Sequence, residues 1–144
     1  MQHVSFEVLG NAVPKARART VRKGNRTWSF TPKRVATWEK VIKKEASKHF
    51  DEPMRGPIMV SMIFYLERPT SRRNDIWVPT TPDLDNLEKA VLDALNGVAY
   101  DDDRYVVAKN AQKKYVRRDS PRIFVRVTSL SRQVELQGFA DPNK

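Results

Sequence analysis

The sequence predicts a single α+β domain over residues 1–144, a mixed β-sheet with two main helices packed mostly on one face. Three observations predict it. One apolar run, Ile58 to Leu66, is interrupted only at Ser61 and suits a central strand buried on both faces. Two segments carry apolar residues at helical spacing: Val35, Trp38, Ile42 and Ala46, then Leu84, Leu87, Val91 and Leu95. The element order is strand, basic loop, helix, strand, loop, helix, strand, strand, which a one-core α+β domain accommodates.

Taken in order, Val4 to Val8 alternates apolar and polar and reads as a half-buried strand. Gly10 to Thr27 is polar, basic and broken by Pro14 and Gly24. It reads as a long loop or an irregular hairpin, within a basic loop at about residues 11–30. A loop that long in a compact domain is usually functional or disordered. Thr31-Pro32 reads as an N-cap followed by proline at the first helical position. That helix should run to about Lys48 and end before Pro53. Glu67 to Pro82 holds three prolines with Arg72 and Arg73 and reads as an exposed loop. The second helix closes at Asn96-Gly97. Tyr100 to Arg104 is a turn. Val106 to Arg117 and Arg122 to Thr128 read as two strands paired across Asp119-Ser120-Pro121. The tail at about residues 131–144 is ambiguous, either folded or flexible.

Composition narrows the function classes. No stretch approaches the roughly 18 apolar residues needed to span a bilayer. The N-terminus shows no apolar core with a small-residue cleavage site, so no signal peptide is expected. There is no cysteine, which removes disulfides and thiolate zinc sites and fits an intracellular protein. His3 and His49 are the only histidines, too few for a multi-histidine metal site in one chain. Lys and Arg outnumber Asp and Glu by 27 to 17, a net charge of +10. Such a field attracts polyanions, nucleic acid first and an anionic membrane surface second. No expected helix pairs a basic face with a strongly apolar one, which disfavours the membrane.

The charge is uneven. Between Asn11 and Arg34 lie Lys15, Arg17, Arg19, Arg22, Lys23, Arg26, Lys33 and Arg34, with no acid among them. Lys15, Arg17 and Arg19 alternate with alanines, so an extended chain would place all three on one side, as a phosphate backbone requires. Trp28 and Phe30 either stack on exposed bases or belong to the core. Arg72 and Arg73 are either a second phosphate contact or ordinary surface arginines.

The acids gather between Asp83 and Asp103. Asp83 and Asp85 flank Leu84; in an extended chain both carboxylates would point one way. Two such groups can share one hard cation, and magnesium usually takes one or two carboxylates plus water and substrate phosphate. A third carboxylate would come from Asp101–Asp103. Lys89, four residues after Asp85, shares its helix face and could stabilise developing negative charge or help orient the attacking water. Asp93, a turn later, would hold Lys89 in place. The alternative is structural: Asp85 with Glu88 matches a capping box, Asp83 satisfies helix-start amides, and Asp101–Asp103 is a solvated turn. Clustered carboxylates repel one another unless a cation or basic side chain neutralises them, which is the reason to read these features together.

Asp83-Leu84-Asp85-Asn86-Leu87-Glu88-Lys89, Leu92-Asp93-Ala94-Leu95-Asn96-Gly97 and Asp102-Asp103 before Arg104-Tyr105-Val106 resemble the RusA family of Holliday-junction resolvases. So do Pro14-Lys15-Ala16-Arg17-Ala18-Arg19 and Phe30-Thr31-Pro32, and the resemblance runs from about Gly10 to Val127. It implies catalytic residues Asp83, Asp85, Lys89 and Asp103, with Asp83, Asp85 and Asp103 as metal ligands and Asp102 as an alternative or added one. It implies Mg²⁺, with Mn²⁺ as substitute, a homodimer, and four-way junctions cut by paired symmetric nicks. DNA contacts would fall to Lys15, Arg17, Arg19, Arg22, Lys23, Arg72 and Arg73. The expected setting is the cytoplasm, bacterial or phage-encoded and nucleoid-associated, with no membrane partner and no small-molecule cofactor. Two departures stand out: Thr81-Pro82 precedes Asp83 where some members are arginine-rich, and Arg104-Tyr105 replaces a small polar residue and glutamine. The competing readings are a non-catalytic, structure-selective DNA-binding module and a flap or branched-DNA nuclease with the same metal site.

Overall fold

The apolar run Ile58–Leu66 is the strand that others flank on both sides, as its composition demands. The computed structural model describes residues 1–16 and 19–131, apart from the side chains of residues 19–21, 28 and 29. Its elements are β1 (His3–Leu9), β2 (Arg19–Lys23), β3 (Arg26–Phe30), α1 (Lys33–Ala46), β4 (Ile58–Leu66), α2 (Leu84–Ala94), β5 (Val106–Tyr115) and β6 (Arg122–Ser129). The main sheet has the order β1-β6-β4-β5. β4 runs parallel to β5 and antiparallel to β6, so the sheet is mixed. Among the described residues, no helix is long and apolar enough to cross a membrane.

The strand pairing corrects one expectation. β5 and β6 do not form a hairpin, because β4 lies between them. Ile58, Val60, Met62 and Phe64 are buried and need a strand on each side. β5 carries Lys109, Lys113 and Lys114, which an edge tolerates better than a centre. The chain after Tyr115 therefore crosses the end of β4, where the Val116 amide donates to the Leu66 carbonyl at 2.9 Å, before entering β6.

Register fixes which residues share the helix-side face. Phe6 pairs with Val125, Val8 with Ile123, Met62 with Val125 and Phe64 with Ile123. These side chains form one core with Val35, Trp38 and Ile42 of α1 and Leu87, Ala90 and Val91 of α2. A buried leucine or phenylalanine of this kind contributes roughly 1.5–3 kcal/mol. Gly10, at φ +136°, lets the chain leave β1: a Cβ there would lie 2.9 Å from the Trp38 ring.

Several boundaries differ from expectation. Helix α1 begins one residue late, because Pro32 itself occupies the cap position (φ −54°, ψ 142°) and Thr31 stands outside. The segment expected as a loop or irregular hairpin contains a regular one, β2 with β3, turning at Gly24 (φ +62°). The stretch 67–82 is not wholly exposed. The Tyr115 amide donates to Ile76 O and the Val78 amide to Lys113 O, so residues 76–78 cover the outer edge of β5, and Val78 is buried. The tail beyond 131 lies outside the described residues.

Candidate metal and DNA-binding site

Asp83 and Asp85 sit at the start of α2, and their local geometry differs from the extended pair expected. Asp83 is the N-cap residue (φ −67°, ψ 140°) and Leu84 already belongs to the helix. The helix starts there because Leu84 and Leu87 are the first of its core-facing positions. The capping alternative fails at Asp83, whose side chain makes no cap hydrogen bond, and holds at Asp102, which caps the turn after it. Both carboxylates are exposed. Among the described residues, neither has a side-chain hydrogen bond or an ion pair. They stand at the positive end of the helix dipole.

The edge strand holds this helix start in place. Lys113 donates from Nζ to the carbonyls of Thr80 (2.6 Å) and Pro82 (2.8 Å), the residues leading into Asp83. Lys109 reaches Oε1 of the buried Glu88 at 3.2 Å. Both lysines lie on the helix side of β5, paired with the core residues Phe64 and Val60.

Asp85, Lys89 and Asp93 follow one another at one-turn spacing along α2. Lys89 Nζ lies 3.7 Å from Asp93 Oδ2, the holding contact the sequence suggests. The third acidic segment reaches this stripe through Tyr100. Its fully buried ring donates from the hydroxyl to Leu92 O at 2.8 Å, fixing the chain beside α2 just before Asp101. Burial and the charges of Asp103 and Asp93 push the Tyr100 pKa up. Asp102 caps the short turn Asp103–Tyr105, accepting from the Arg104 amide at 2.8 Å. The Asp103 carboxyl is pushed above its ordinary pKa by burial and by Asp102 and Asp93, with Lys89 opposing. Among the described residues, no three acidic or histidine side chains converge into a ready metal-ligand set.

Lys15 is placed differently from the expected phosphate contact. Its Nζ lies 2.7 Å from Glu39 Oε1 of α1 and 2.8 Å from Asp93 Oδ2 of α2, and its amide donates to Asn86 O at 2.9 Å. Burial lowers the Lys15 pKa, but hydrogen bonds and charge from Asp93 and Glu39 outweigh it and hold the ammonium above its ordinary value. In this structure it ties two helices together. Arg22 and Lys23 are exposed on the β2–β3 hairpin. Arg17 lies outside the described residues, and Arg19 opens β2. Arg72 pairs with Asp75 at 3.1 Å, while Arg73 is exposed. Sequence reasoning missed Arg68, which donates from Nε to Val116 O and from Nη1 to the carbonyls of Arg72 and Asp75. It passed over Tyr100 too, whose place beside an acidic run was the available signal.

Against known proteins, a model of the family described as Endodeoxyribonuclease RusA matches residues 10–128. The chain is also similar to a Bacillus subtilis (strain 168) protein described as "Uncharacterized protein YqaN". The two are 29% identical over 143 residues, covering 91% of this chain and 99% of that protein.

Proposed function

This chain belongs to the RusA family of endodeoxyribonucleases, and from that premise we propose that it resolves four-way DNA junctions by paired symmetric nicks that depend on Mg²⁺ or Mn²⁺. The observation that carries the reading is the set of uncompensated acids in a chain of net charge +10. Asp83 and Asp85 have no cationic partner among the described residues, and burial first, then the charges of Asp102 and Asp93, hold Asp103 toward its protonated form against Lys89. All are hard oxygen donors, which fits a small divalent ion.

In this reading Asp83, Asp85 and Asp103 hold the ion, with Asp102 able to join them. Such an ion supplies Lewis-acid polarisation of the phosphodiester and lowers the pKa of attacking water. Lys89, half exposed and held only at 3.7 Å by Asp93, is free to turn its ammonium toward the phosphate and stabilise charge developing there. Lys113 keeps the helix start oriented, and Glu88 stays neutralised by Lys109. Arg22, Lys23 and Arg73, with Arg17 and Arg19, supply the sequence-independent grip on phosphates, and Arg72 stays paired with Asp75 beside Arg73. Lys15 serves DNA binding indirectly, by anchoring the segment that leads into the basic hairpin. A junction is close to two-fold symmetric, so a homodimer with one site per subunit matches two symmetric nicks. Such a protein acts where DNA is, in the cytoplasm of a bacterium or a phage-infected cell.

The test is incubation of the purified protein with a labelled four-way junction in Mg²⁺ and in EDTA. Paired nicks in Mg²⁺ alone support the reading. Tight junction binding with no cutting under either condition would instead leave a structure-selective binding module, and cutting confined to flaps would change the substrate.

A further inference from the structure

Resting on the reading that this chain works on DNA, we propose that a basic cleft on the sheet face away from the helices holds an unpaired DNA strand, with a base stacked on Trp77. Register places Tyr65 of β4 between Lys114 of β5 and Arg122 of β6, on the face opposite Phe64 and the core. The Arg122 guanidinium lies 4.2 Å from the Tyr65 ring centre, and the Lys114 ammonium lies 5.1 Å from that of Trp77. Trp77 is nonetheless 56% exposed, beside Ile76 at 47%. The backbone pairing of residues 76–78 with β5 fixes both.

Two hollows of about 320 and 800 Å³ adjoin at this end of the sheet, sharing Arg68, Ile76, Arg117 and Asp119 as walls; the smaller is floored by Tyr65 and Lys114, the larger is walled by the loops past the strand ends, and Trp77 stands beside them. Arg68 builds the cleft, since its guanidinium is turned onto backbone carbonyls. The acids are already compensated: Asp75 by Arg72 at 3.1 Å and Asp119 by Arg122 at 3.6 Å. Arg73, Arg117 and Arg118 remain exposed, with no side-chain ion pair among the described residues. The cleft thus presents surplus positive charge beside an exposed aromatic ring. Phosphates answer the charge. A duplex keeps its base faces stacked internally, so the ring selects a strand whose bases are free.

The position suits the nuclease reading. Consecutive residues of β5 serve the two faces: Lys113 holds the carbonyls of Thr80 and Pro82, next to Asp83, and Lys114 covers Trp77. A strand seated in the cleft would pass the edge of the sheet beside the acids.

The experiment is fluorescence anisotropy of the full chain in EDTA, with a labelled deoxythymidine strand of about 20 nucleotides and a duplex of equal length. Trp77→Ala should weaken strand binding on the order of tenfold and leave duplex binding within about twofold, while Trp77→Phe keeps most of the affinity. The double variant Arg117→Ala/Arg118→Ala should flatten the slope of log affinity against log salt by roughly 1.4. Absence of strand binding by the wild-type protein, or unchanged strand affinity in Trp77→Ala, overturns the proposal. So does equal loss for strand and duplex. A fall in dimer content on sedimentation with strand affinity intact would make the face a contact between copies, and overturns it too. Junction cutting in Mg²⁺, measured alongside, separates the two readings. Cutting with no Trp77-dependent strand binding sinks this proposal alone, and Trp77-dependent binding without cutting sinks the nuclease alone.

Discussion

Glu39, Glu88 and Asp93 each face a lysine, whereas Asp83 and Asp85, on the same helix as two of them, face none among the described residues. Lysine is not scarce nearby. Lys109 and Lys113 lie on the adjoining strand, yet one goes to Glu88 and the other to backbone carbonyls. The fold neutralises the acids that sit between its helices and under its edge strand, and leaves the exposed ones at the helix start uncompensated. Burial accounts for the paired group, because an unpaired charge is costly only where water is excluded. At Asp103 burial and, after it, the like charges of Asp102 and Asp93 oppose ionisation. A divalent ion at that place would turn the repulsion into attraction.

Neutralising an acid from each group is the sharpest way to break this contrast. Asp83→Asn, Asp85→Asn and Asp103→Asn should each lower junction cutting by about 1,000-fold or more, with junction binding kept. Glu39→Gln, in the paired group, should leave cutting within a few-fold. Similar losses in both groups would erase the distinction. Lys89→Ala should come next, lowering kcat about 100-fold with little change in KM. A change in KM alone would make it a binding residue.

The two groups of cations should separate by stability. Lys15→Ala breaks two partly buried ion pairs and should cost about 1–3 kcal/mol in urea unfolding. Arg22→Ala, on the exposed hairpin, should cost under about 0.5 kcal/mol but weaken DNA binding. The smallest effect belongs to Asp103. Its folded pKa is raised, so the folded state holds the proton more tightly than the unfolded chain does. That contribution is present below the ordinary carboxylate range and is lost as pH rises through the folded value. Without metal, Asp103→Asn should therefore be slightly more stable near neutral pH, by about 0.5 kcal/mol or less, and should flatten that loss.

Much of the fold was legible in the sequence because it follows local patterns. The continuous run Ile58–Leu66, the helical spacing around Trp38 and Leu87, and the alternation of β1 each announce an element. The order of strands was not, since β4 separates β5 from β6 through a pairing between residues far apart in the chain. The acids that crowd Asp83 to Asp103 were visible as residues. Their geometry was not: whether Asp83-Leu84-Asp85 is extended or opens a helix depends on how Leu84 and Leu87 meet the core. Lys15 shows the same limit from the other side. Its neighbours in sequence are basic and suggest phosphate, but its neighbours in space are Glu39 and Asp93. Trp77 is a lone aromatic in a proline-rich stretch, and only its pairing against β5 gives it a fixed place.

The uncompensated acids should take up a divalent ion, and calorimetric titration of Mn²⁺ into the metal-free protein near neutral pH tests this most directly. Saturable binding in the wild-type protein, lost in Asp83→Asn and kept in Glu39→Gln, is the expected result. No binding in the wild-type protein, or binding that survives Asp83→Asn unchanged, would contradict it.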